Sequence, residues 1–142
     1  MRYVHSGIFA LVLGLALSPL LAEMPRQPAP EGAGVYFIEP VGGATVQSPF
    51  KVLFGLHDMG VAPAGVNQPN TGHHHLLINS PGVDLGMPLP TTDQVRHFGG
   101  GQTETMLTLE SGSYTLQLVL GDYAHIPHDP PVVSETITIT VE

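Results

Sequence analysis

A chain of 142 residues with twelve acidic and four basic side chains carries a net charge of −8, and all the acidic residues follow residue 22. A surface of that sign repels a phosphate backbone, which excludes a nucleic-acid binder working through a basic footprint. With no cysteine in the chain, disulfides, blue-copper centres and cysteine-zinc sites are all excluded.

In chain order, Met1 to Ala22 reads as a secretory signal. Arg2 supplies the positive start, Ile8 to Leu21 the apolar stretch, and Ala22 a small residue at the cleavage point. The apolar run is shorter than a membrane span, and no cysteine follows it to carry a lipid anchor. The expectation is an exported protein, periplasmic or secreted, with no membrane span after cleavage. Residues 23–34, rich in Pro, Ala and Gly, have little to bury and read as a flexible spacer.

From Val35 to Glu142 the pattern is short apolar segments punctuated by Gly, Pro, Asn and Asp. Strands are predicted at Val35–Glu39, Phe50–Leu56, His74–Asn79, Gln102–Leu109, Ser113–Leu120 and Val132–Val141, with a short one at Val95–Phe98. Alternation turns Tyr114, Leu116, Leu118 and Leu120 inward, and likewise Ile137, Ile139 and Val141 between threonines. About seven strands in this length predict an all-β domain at 35–142, an immunoglobulin-like antiparallel β-sandwich. Ser111-Gly112-Ser113-Tyr114, a glycine turn just before a tyrosine that opens a strand, resembles the tyrosine corner of such sandwiches.

Thr71-Gly-His-His-His-Leu-Leu-Ile-Asn-Ser80 is the segment that points to chemistry. On a strand, His73 and His75 share one face with Leu77, while His74 shares the other with Leu76 and Ile78. Two imidazoles two residues apart on a strand have Cα atoms roughly 6.6 Å apart, close enough to bind one cation through neutral nitrogens. In an immunoglobulin arrangement the loops between the second and third strands and between the last two lie at one end of the sandwich. All seven histidines after residue 22 would then gather at one pole. His73, His75, His97, His125 and His128 are the candidate metal ligands, with His74, His57, Met59, Asp58, Asp122 and Asp129 ranked below them as outer ligands or hydrogen-bonding partners. Prolines in His125-Ile-Pro-His-Asp-Pro-Pro131 stiffen the loop that carries two of the five. Each residue also has a structural reading: turn formation for Asp122 and Asp129, gap filling for Met59, unusual dihedrals for Gly99 to Gly101.

Val61-Ala-Pro-Ala-Gly65, Gly72-His-His-His-Leu-Leu-Ile-Asn79, His97-Phe-Gly-Gly-Gly-Gln-Thr-Glu104, Leu116-Gln-Leu-Val-Leu-Gly-Asp122 and His128-Asp-Pro-Pro131 together resemble the exported bacterial family called domain of unknown function 4399. The resemblance spans nearly the whole chain after residue 22 and implies that the histidine motifs are a family feature; it implies no activity. The histidine set is also faintly similar to copper/zinc superoxide dismutase, a sandwich with His-x-His on a strand, but the chain lacks cysteine and that family's Glu-Phe-Gly-Asp run. No Gly-x-Ser-x-Gly elbow or His-Glu-x-x-His helix occurs. The expected function is divalent transition-metal binding, copper or zinc, for storage, delivery or sensing. A non-catalytic envelope module docking a protein or glycan, its histidines merely hydrogen-bonded, is the alternative, and a dismutase-like or hydrolytic metalloenzyme ranks below both.

Overall fold

Nine strands and no helix are formed by the described residues, 24–142, of this computed structural model. The signal peptide expected at 1–22 lies outside them. In chain order the strands are β1 (Gly34–Glu39), β2 (Thr45–Val46), β3 (Phe50–His57), β4 (Gly60–Val61), β5 (Thr71–Ile78), β6 (Val95–His97), β7 (Glu104–Leu107), β8 (Gly112–Gly121) and β9 (Ile137–Val141). Three make one sheet in the order β1-β3-β7, and six make the other in the order β2-β9-β8-β5-β4, with β6 also paired to β5. Pairing is antiparallel except for β2 with β9 and β4 with β5. The first, second and fourth of the six main predicted strands (β1, β3 and β7) thus share one sheet, and the third, fifth and sixth (β5, β8 and β9) share the other, the two-sheet division of an all-β sandwich.

Alternation along the strands builds the core. Leu116, Leu118 and Leu120 of β8 and Ile139 and Val141 of β9 meet Val35, Phe50, Val52, Phe54 and Leu107 of the smaller sheet in one buried cluster, with Tyr114 and Ile137 packed at its margin. The Tyr114 hydroxyl donates to the Glu110 carbonyl at 3.0 Å, tying the start of β8 to the turn before it as a tyrosine corner does.

Two predicted strands are shorter than their apolar pattern. Only Glu104–Leu107 of the expected Gln102–Leu109 is strand. Of Val132–Val141 only Ile137–Val141 is strand, because the Ser134 hydroxyl takes the Leu118 N–H at 2.8 Å and interrupts the ladder. The segment expected as a free spacer is instead tied down. The Ala29 N–H donates to the Asp129 carbonyl at 3.1 Å, and the Asp129 N–H to the Gln27 carbonyl at 2.9 Å. Ala29 and Ala33 are small enough to tuck against the core.

The outer face of the larger sheet is also covered. Leu77 of β5, Val95 of β6, Val119 of β8 and Leu89 from the connection between β5 and β6 form a second buried cluster there. That cover keeps water off the face on which His73 and His75 project.

Candidate metal centre

The register of β5 on β8 sets the histidine faces. His74 opposite Leu120, Leu76 opposite Leu118 and Ile78 opposite Leu116 point into the sandwich, while His73 opposite Gly121 and His75 opposite Val119 point outward under the second cluster. On the other side of β5, β6 brings His97 directly opposite His75. The turn after β8 then delivers His125. Asp122 builds that turn: its carboxylate accepts the N–H groups of Ala124 at 2.8 Å and Ile126 at 3.0 Å, and its carbonyl accepts the His125 N–H at 2.9 Å.

His125 has a backbone φ of +66°, the left-handed region that side chains other than glycine seldom adopt. Such a conformation persists only where the surroundings enforce it, and it recurs at functional sites. Here the Asp122 hydrogen bonds and the Leu89 N–H, which donates to the His125 carbonyl at 2.8 Å, do so. Two glycines seat the rings. A methyl group on Gly121 would lie 2.8 Å from His75 Cε1, and one on Gly99 2.3 Å from His97 Cε1. Gly99 is therefore required for ring space rather than for an unusual dihedral; within Gly99 to Gly101 only Gly101 has a positive φ, 81°.

His73, His75, His97 and His125 each offer one ring nitrogen such that all four lie within 4.8 Å of one another. His73 Nε2 stands 3.1 Å from His125 Nδ1 and 3.2 Å from His97 Nε2. Four nitrogens bound to one ion at 2.0 to 2.1 Å stand about 3.3 Å apart in a tetrahedron. No carboxylate belongs to the group. His73 and His75 are fully buried and His97 and His125 half-buried, so the cluster is closed toward the sheet and reaches the surface through the latter two.

The electrostatics suit ligands rather than charged side chains. Burial, reinforced by His125 and His97, lowers His73 from 6.5 to about 4. Burial followed by repulsion from His73, His97 and His125 lowers His75 to about 3. His97 is lowered as well, first by burial and then by His125. These imidazoles are neutral at pH 7, the state a metal requires. Both ring nitrogens of His75 and Nδ1 of His73 are buried without any hydrogen-bond partner, an arrangement proteins seldom leave unsatisfied.

The remaining candidates lie outside the group of four. His128 is buried beside the cluster but outside the group, its Nε2 bonded to the Thr71 carbonyl at 3.1 Å. His74 projects through the sheet to the inner face, 5.1 Å from the Phe54 ring, because strand alternation sends it opposite to its neighbours. His57 ends β3 in the other sheet, exposed and 3.1 Å from the exposed Asp58. Met59 packs against the core, Asp122 builds the loop, and Asp129 pairs with the amino-terminal segment. Sequence reading missed the roles of Gly99 and Gly121 and the cover supplied by Leu89; the apolar Leu77 and Val119 on an otherwise polar face are the signal that the face is buried.

The sequence model of a family described as a domain of unknown function matches residues 52–142, which carry all four clustered histidines. The chain belongs to the DUF4399 family. No curated protein matches the chain, and no solved structure does. Among the described residues of this DUF4399 protein no helix is long and apolar enough to cross a membrane.

Proposed function

We propose that this DUF4399 protein is an exported metal-binding module in which His73, His75, His97 and His125 hold one divalent transition-metal ion, zinc or copper(II), for storage or delivery. The observation that carries this reading is His75: a fully buried imidazole with neither nitrogen hydrogen-bonded, inside a group of four whose ligand atoms lie within 4.8 Å. A purely hydrogen-bonded cluster accounts for the contacts of His73 with His97 and His125 but leaves His75 with no partner; one shared cation gives each of the four rings a partner at one nitrogen. Imidazole nitrogens suit zinc and copper(II), and four of them fill a tetrahedral zinc shell, the closed pattern of a holding site rather than the open one of a catalyst. The conformational cost at His125 and the ring seats at Gly99 and Gly121 support a preorganised site.

The test uses protein free of any histidine tag. Elemental analysis and calorimetric titration are expected to give one tight equivalent of zinc or copper(II) per chain, with a rise in melting temperature on loading. His73→Ala combined with His75→Ala removes both the stoichiometric binding and the rise. Retention of one tight equivalent in that double variant would sink the ligand assignment. Weak, multisite binding to the unaltered protein would instead favour the interaction-module reading.

A further inference from the structure

The four-imidazole group contains no carboxylate, so a divalent ion held there brings a charge of +2 that no ligand neutralises. Beside it lies a cleft of about 750 Å³, and His97 is part of its wall. The next residue along the strand, Arg96, lines the same cleft. Its guanidinium makes no hydrogen bond or ion pair among the described residues, whereas Arg26 is engaged at Pro127, His128 and Asp129. In a chain with four basic residues against twelve acidic ones, a free guanidinium at this place is a specific attraction for an anion. Arginine's planar fork is matched to a carboxylate.

Thr92, on the same wall, accepts the N–H groups of Gln94 and Val95 with its hydroxyl oxygen, both at 3.1 Å, which leaves its hydroxyl proton free to donate. Asp93 also lines the cleft and repels a second anionic group on its side, so the charge of a ligand is drawn toward Arg96. Phe98, Met106 and Leu107 give the cleft an apolar surface that a bare inorganic anion would not use. The volume is within the range of small-molecule sites.

We infer that this cleft binds a small organic carboxylate, its charge held by Arg96 and Thr92 and its carbon skeleton against Phe98, Met106 and Leu107, next to the metal centre at His97. The inference rests on the proposed metal reading for its second part only: carboxylate in the cleft balances the charge of the loaded centre, so loading strengthens binding.

The experiment is a butyrate titration of the isotope-labelled full protein, metal-free and zinc-loaded, followed by shifts of the Arg96 side-chain and Thr92 amide resonances. Saturable shifts at these groups are expected in the metal-free protein, weakened at least about tenfold by Arg96→Gln, the loss of one charge-assisted pair, with zinc stoichiometry unchanged in that variant. Zinc loading is expected to tighten butyrate binding severalfold. Absent or non-saturable shifts, equal binding by Arg96→Gln, or equal binding of inorganic phosphate would overturn the carboxylate site while leaving the metal reading intact. Failure to bind zinc, with Arg96-dependent butyrate binding preserved, would overturn the metal reading and the charge coupling but not the cleft.

Discussion

His74 separates what the histidine run does for the fold from what it does for the site. Its neighbours face the four-histidine group, whereas its own ring is fully buried among core side chains with both nitrogens unpaired. Burial lowers it from 6.5 to about 4, and the backbone of Gln102 offsets that only in part. An unpaired buried polar group costs about 1–3 kcal/mol, while an apolar replacement of similar shape removes the penalty. His74→Leu is therefore expected to raise the urea midpoint of the metal-free protein and to leave metal stoichiometry unaltered. Lower stability in this variant, or loss of the metal equivalent, would show that His74 makes a contribution its surroundings do not reveal.

The segment before β1 acts on the site through the loop after β8. Arg26 donates from Nε to the Pro127 carbonyl at 3.0 Å and from Nη2 to the His128 carbonyl, and the Pro28 backbone bridges to Asp129. These contacts lie two to four residues beyond His125, on the loop that must hold that ring in place. Arg26→Ala is expected to weaken zinc binding several-fold, mainly by faster release, with a loss of roughly 1 to 2 kcal/mol in stability from the broken hydrogen bonds. Lys51→Ala on the other sheet is the comparison, and equal zinc affinity in the two variants would remove Arg26 from the role. This strap also marks where the sequence stops being informative. Strand alternation alone placed His73 and His75 on one face and His74 on the other, because a period of two needs no tertiary knowledge. The apolar patterns of β8 and β9 likewise specified the core face. Residues 24–33 carry no such pattern: their order comes from backbone bonds to a loop a hundred residues away, which composition cannot report. His128 fell outside the cluster for a related reason, since the turn built by Asp122 aims only His125 at it.

Taken over the whole molecule, the buried imidazoles make stability depend on pH in a definite direction. In the unfolded chain they titrate near 6.5, whereas in the fold His73 and His74 are lowered to about 4 and His75 to about 3. Between these limits the unfolded state binds protons that the folded state refuses, so stability rises with pH across the window. The metal-free protein is thus expected to hold its full stability above pH 6.5 and to lose it progressively as the pH falls toward 4. For His74 alone the interval from 6.5 to about 4 corresponds to roughly 3 kcal/mol. The net charge of −8 acts oppositely only once carboxylates begin to protonate and relieve their mutual repulsion, nearer pH 4. Urea denaturation between pH 7 and 5 therefore isolates the imidazole effect. The expected result is a midpoint that falls steadily with acid in the native sequence and falls less steeply in His74→Leu; a midpoint flat over this interval would mean that the buried imidazoles protonate as readily in the fold as outside it.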